Sequence, residues 1–308
     1  MDLNLLREPF AYEFFRYGFL AATMIGALCG LMGVYIVLRK MSYIGHGLSH
    51  SVFGGAVVSY LLGWNFYLGA GAWGFLSALL INATGRRRGI GADAAIGLVT
   101  TASFALGVAL ISKMRSFSRD FEAALFGNIL GVTPRDLWVI GAVGVVVAGA
   151  VFLGYKQLLF ATFDPELARV YGVATGRVET GFALALAATI VASLNVVGAT
   201  LIAAAIVIPP TTARLLTDSF GKLLALSVLL GAWCGGVGML LSFWFDIASG
   251  AAIVLLATAT FAAVYAATAA RRLLRLARPA AELLAAAPVA GRAPVATGAS
   301  GEERVAGR

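Results

Sequence analysis

The feature that most constrains this chain is its series of apolar runs, most about as long as the roughly 20 residues a helix needs to cross a bilayer. Candidate spans lie at 17–38, 43–63, 66–84, 92–112, 136–154, 177–194, 195–212, 222–244 and 249–269. Within lipid no water satisfies the backbone, so a crossing segment closes its own hydrogen bonds as a helix. Composition agrees: 60% of the 308 residues are hydrophobic and 12% are charged, against about 25% charged in soluble chains. Charge this sparse leaves a water-soluble fold of this size without a polar surface. The predicted fold is therefore all-α: a polytopic membrane protein of about nine transmembrane helices.

The predicted organisation has three parts. Residues 1–16 form an extracytoplasmic segment, 17–270 a transmembrane domain, and 271–308 a cytoplasmic tail. The tail is Ala, Pro, Gly and Arg with little periodicity, which predicts disorder. The first span is too long for a signal-peptide core and ends in Arg39-Lys40, so it reads as retained. Asn195 and Gly198 mark the turn between the sixth and seventh spans. The stretch 121–131 is too short to cross and is predicted as a re-entrant or outer helix.

The net charge of +8 would suggest nucleic acid in a soluble chain. Here the basic residues cluster at the ends of apolar runs. With the N-terminus outside, most of the 23 Lys and Arg fall on cytoplasmic segments, Arg39, Lys40, Arg86, Arg87 and Arg88 among them. The positive-inside rule then also puts the C-terminus in the cytoplasm. The partner implied is the lipid bilayer, not nucleic acid.

Gly26 with Gly30, and Gly231 with Gly235, fit the small-xxx-small spacing of packed membrane helices. Among 37 glycines the same spacing also arises by chance, and both readings stand. Cys29 and Cys234 sit inside apolar runs and read as small packing residues.

Chemistry is confined to few places. The two histidines, His46 and His50, are four residues apart and share one helix face. Ser42 and Ser49 lie on or near the same stripe. Ionisable groups inside a membrane segment are costly and mark pathways, and paired imidazoles suit a transition-metal ion. The plainer reading is two interfacial histidines bonded to carbonyls. Gly47 stands where a zinc protease with this spacing needs its glutamate base, which argues against that chemistry.

Asp164-Pro165-Glu166 has the composition of a helix start, and Gly172 of its end. A short helix between two spans suits either docking on a partner or plain connection along the membrane surface. Pro209-Pro210 predicts the end of the seventh helix. Asp93 is placed to cap the fourth span or to pair with Arg86, Arg87 or Arg88. Asp120 and Glu122 read as solvated interface charges. The sequence carries no phosphate-binding loop and no Ser/His/Asp arrangement, so any ATP used in transport is bound by another chain.

Taken together, several motifs resemble the permease subunits of bacterial ABC importers for zinc, manganese or iron. They are Gly33 to Gly45 with Gly47-Leu-Ser-His50; Ala95-Ile-Gly97 with Ala105-Leu-Gly107 and Leu110-Ile-Ser112; Leu125 to Leu130; Tyr171-Gly172; and Val197-Gly198 through Ile208-Pro209. They run in family order over roughly residues 15–270. The resemblance implies a plasma (inner) membrane protein, a homodimer of permease chains, a cytoplasmic ABC ATPase dimer and an extracytoplasmic metal-binding solute-binding protein. It also implies alternating access, a transported divalent ion and no permanently bound cofactor. By the same resemblance the 164–172 segment is the coupling helix, with Asp164, Glu166 and Arg169 facing the ATPase.

His50 matches the family's pathway histidine. His46 stands where the family usually carries Asp, and Gly54 where it often carries Pro. Imidazole in place of carboxylate favours a softer ion, so zinc is expected slightly ahead of manganese or iron. His46 and His50 are then transient metal ligands with Ser49 adding polarity beside them. The competing readings are an ATP-independent secondary transporter or channel and, with no third ligand or base in view, an intramembrane metal enzyme.

Overall fold

The computed structural model describes residues 7–86, 90–114 and 127–286. The expected helix at 121–131 and the pairing of Arg87 and Arg88 lie wholly or mostly outside these residues. Among the described residues there are helices and no strands. In order they are α1 (Glu13–Leu38), α2 (Tyr43–Leu62), α3 (Phe66–Gly85), α4 (Ala92–Met114), α5 (Pro134–Leu153), α6 (Tyr155–Phe163), α7 (Pro165–Val170), α8 (Thr175–Val197), α9 (Ala199–Leu216), α10 (Phe220–Phe245) and α11 (Ser249–Ala286). Contacts divide the chain into a unit at Met1–Ala266 and a second at Ala267–Arg308.

Each of the nine expected spans falls on a helix, but only seven helices among the described residues are long and apolar enough to cross a membrane. The two that fall short are α2 and α9. α2 is diluted by His46, Ser49, His50, Ser51 and Ser59 and by four glycines. Much of α2 is buried by its neighbours, so it does not need a lipid-compatible surface. α1 is the central helix, with 72% of its apolar window buried, whereas the corresponding figure for α5 is 17%.

Local chemistry sets the helix ends. Asn65 caps α3 by accepting from the Tyr67 amide at 2.9 Å. Thr133 and Asp136 form a capping box on α5, with Pro134 at the first position. Gly63 closes α2 in the left-handed region. Gly198, at φ 82° and ψ 155°, breaks α8 from α9 in a conformation open essentially to glycine alone.

Both glycine pairs of α1 and α10 are packing contacts. A Cβ on Gly26 would collide with the Gly231 carbonyl, and the reverse holds for Gly231. Gly30 meets Ser227 in the same way, and Gly235 meets Ala22. The Ser227 hydroxyl donates to the Gly30 carbonyl at 2.7 Å, locking the pair. Cys29 and Cys234 are free and buried in this packing.

Two boundaries differ from expectation. The paired prolines do not end α9, which runs through them to Leu216. Pro209 and Pro210 remove two amide donors, but the Ile206 carbonyl so released packs against Gly33 of α1. The Thr211 and Thr212 hydroxyls bond the next carbonyls, of Val207 and Ile208, at 2.7 and 2.8 Å. The released carbonyls are those of Ala205 and Ile206, and the prolines are tolerated where α9 packs closely on Gly33 of α1. The last helix extends to Ala286, so 271–286 is helical where disorder was expected. The segment is rich in Ala, Leu and Arg, all strong helix formers.

Candidate metal-binding site

α2 carries both histidines in its first two turns. Their ring centroids are 4.4 Å apart with planes at 73°. The rings are close enough to be neighbours around one ion, whose metal–nitrogen bonds would be about 2.0–2.1 Å. His46 is exposed on the isolated chain and His50 half-buried. The pair therefore faces outward from this subunit instead of into its core.

α4 fixes the inner edge of this face. Phe104 meets His50 edge-on, with centroids 5.3 Å apart and planes at 88°. Phe53 packs on Phe104 at 5.5 Å. The two helices approach closely because α2 has glycine where they touch. Gly47 lies against Ile96 and Thr100, and Gly54 lies against the Ser103 carbonyl. Thr100 and Ser51 each have a buried hydroxyl oxygen with no hydrogen-bond partner among the described residues. Phe104 and Thr100 went unnoticed in the sequence because nothing in an apolar run marks which residue meets a histidine on another helix.

Ser49 is fully buried and turned away from the histidine face. Its hydroxyl lies 2.9 Å from the carbonyls of both His46 and Ala199. It ties the site helix to the first residue after the Gly198 break, a positioning contact across the α8–α9 joint.

Among the described residues no group of three or more His, Cys, Asp or Glu gathers to hold a metal. Two imidazoles leave at least two positions of a tetrahedral ion open. Those positions suit water or groups from another chain, and the arrangement suits an ion in transit better than a resident one.

The 164–172 segment forms α7 as its composition predicts. The Asp164 carboxylate accepts from the Leu167 amide at 2.8 Å as the N-cap. Arg169 Nε donates to the Pro165 carbonyl at 3.2 Å. Glu166 is exposed. Only Ala168 of this helix is buried, while Val170 is 81% and the following Tyr171 72% exposed. Gly172 ends the turn at φ 80°. The preceding helix, α6, lies outside the expected spans, the fifth of which stops at Gly154; its nine residues are too few to cross a bilayer. Arg86 pairs with Glu179 on α8 at 2.9 Å, where Asp93 had been one candidate partner.

The profile of the ABC 3 transport family matches residues 11–268. The manganese transport system membrane protein MntC of Halalkalibacterium halodurans is 37% identical over 255 residues, covering 83% of this chain and 87% of that one. The chelated iron transport system membrane protein YfeC of Yersinia pestis is 35% identical over 259 residues, covering 84% and 88%. Among solved structures, PsaBC from Streptococcus pneumoniae, in complex with Fab, superposes with a TM-score of 0.77 at 31% identity, covering 86% of this chain and 95% of its own. A family profile matched over most of the chain, with relatives above 30% identity along most of their length, leaves one assignment: the chain belongs to the ABC 3 transport family.

Proposed function

We propose that this chain is the membrane-spanning permease of an ATP-binding cassette importer for a divalent transition metal, with manganese or iron as cargo. It is a transporter subunit rather than an enzyme. The observation that carries the reading is the His46–His50 pair, held on a face that a single chain leaves uncovered and that lacks enough ligands of its own. Two permease copies around one path would bring two such faces together. Weak, partial coordination suits the task, because a conducted ion must leave as readily as it enters.

The named relatives carry manganese and iron in their descriptions. Zinc, which the imidazole at position 46 would favour, is named in neither description, and the donor argument alone does not sustain it. We infer the remaining parts from the family: a cytoplasmic ATPase dimer beneath the permease pair, a solute-binding protein on the outer side, the N-terminus outside and the C-terminus in the cytoplasm. The exposed Leu167, Val170 and Tyr171 on and beside α7 support its use as the docking helix. ATP-driven closure of the partner would move α7, and the two permeases would rock to open the path to either side.

The test is uptake into proteoliposomes holding this chain with its co-purified ATPase and a metal-loaded binding protein. ATP-dependent uptake of manganese or iron is expected. Robust uptake by this chain alone without ATP would replace the proposal with a secondary transporter or channel.

A further inference from the structure

At the end of the bundle where α1 stops, a cavity of about 360 Å³ lies between α1, α2, α3, α4, α6, α7 and α8. Its volume falls within the roughly 300–1,000 Å³ of small-molecule sites. It reaches the surface, since the lining residues Arg86 and Ala92 are exposed. Part of the wall is apolar, with Ile44, Leu48, Ile81 and Phe182.

The polar wall is centred on Arg39. Its Nε donates to Thr162 Oγ1 at 3.0 Å, and its guanidinium lies over the Phe182 ring at 4.6 Å. Thr162 in turn donates to the Leu158 carbonyl at 2.6 Å, so its oxygen is held as an acceptor for the arginine. The guanidinium plane is thereby fixed, yet Nη2 is buried with no hydrogen-bond partner among the described residues. A buried charged donor left unmade is expensive. The one carboxylate lining the cavity, Glu179, is paired with Arg86 at 2.9 Å. Arg86 also donates to the Gly176 carbonyl at 2.7 Å. Arg39 and Arg86 share this one carboxylate, so the cavity keeps a net positive charge.

We propose that this cavity binds a phosphate group through Arg39 Nη2, either the headgroup phosphate of an anionic phospholipid or free phosphate. The guanidinium fork matches phosphate oxygens. The apolar wall suits the glycerol and upper acyl carbons of a lipid, and basic side chains at a membrane surface gather anionic headgroups. The site is separate from the histidine pair and does not depend on the metal-transport reading. Its contact with Thr162 and Pro165, on either side of the α6–α7 joint, places a bound anion beside the exposed α7.

The test uses the purified permease–ATPase complex, stripped of lipid in detergent. Native mass spectrometry measures retention of phosphatidylglycerol against phosphatidylcholine, and calorimetry measures inorganic phosphate. Preferential retention of phosphatidylglycerol is expected, weakened about tenfold or more in Arg39→Gln, the loss of one charge-assisted hydrogen bond. Ala92→Trp fills the exposed mouth while leaving Arg39 and its bonds intact, and the same loss is expected there, which separates the cavity from general misfolding. Phosphate binding without lipid preference would assign the site to a soluble anion. Binding of neither, binding unchanged in both variants, or a side chain of the ATPase occupying the cavity would overturn the proposal.

Discussion

Replacing Gly54 with alanine tests whether the α2–α4 contact, rather than the histidines alone, sets the site. Gly54 lies one turn beyond His50. A Cβ there would drive into the Ser103 carbonyl oxygen, with the carbonyl carbon at 3.2 Å. Both atoms are backbone, so no rotamer change relieves the collision and α4 must retreat. On the opposite side of the contact, a Cβ on Gly107 would stand 3.1 Å from the Gly54 Cα, so the two helices have no slack. Overpacking of this kind costs about 1–3 kcal/mol. Because Phe104 lies between Ser103 and Gly107 and braces His50, the retreat also loosens the ligand. Gly97→Ala on the same α4 is the control, since a Cβ there meets nothing within 4 Å. It should stabilise by about 0.5–1 kcal/mol through helix propensity. Thermal unfolding in detergent and metal uptake in proteoliposomes read the two variants. Gly54→Ala should lower both stability and uptake without removing any metal ligand. Equal stability and uptake in the two variants would refute the close-packing argument.

His50→Ala should abolish metal-dependent uptake while leaving expression and assembly intact, and wild-type uptake would remove His50 from the path. Glu166→Arg, on the exposed face of α7, should uncouple ATP hydrolysis from uptake or release the ATPase; unchanged coupling would show that docking lies elsewhere. Ser227→Ala should cost about 0.5–1.5 kcal/mol, toward the low end in lipid, read as a lower unfolding temperature with uptake kinetics preserved. His46→Asp should shift uptake toward manganese over softer ions by several-fold in competition assays, and an unchanged ratio would exclude this position as a selectivity determinant.

The fold was legible where the governing rule is local. Apolar run length located the helices, Asp164-Pro165 and Gly172 bracketed α7, and Gly198 marked the α8–α9 break. The Pro209-Pro210 pair misled because the local rule is right about the lost donors and silent about the close packing of α9 on Gly33 that accommodates them. α6 had no such local signal: its nine residues, with Lys156 and Gln157 near the start and no side-chain cap, are too few to cross a bilayer. At the site, spacing alone put His46 and His50 on one face. It did not show that Ser49 turns inward to bond Ala199, 150 positions away, or that Phe104 supports His50. Those contacts depend on helix pairing, which a periodic pattern constrains but does not specify.

With His46 lining the path as proposed, the exchange of an expected acid for imidazole would change what the path can do. At about 4 Å and an effective dielectric of 20, one carboxylate attracts a monovalent cation by about 4 kcal/mol, and a divalent ion by about twice that. Such a well captures ions strongly and releases them slowly. A neutral imidazole removes the fixed charge and keeps a directional donor, so binding then depends on coordination rather than on field. Coordination is sensitive to geometry, and here the geometry is held by Gly54 against Ser103, by Phe104 against His50 and by Ser49 across the helix break. On the proposed reading, a permease built this way would gate release by small movements of α2 relative to α4 and α9. Protons also compete with the metal for the imidazole nitrogens. Helix position, not a buried charge, is then the variable that decides whether the ion stays or moves on.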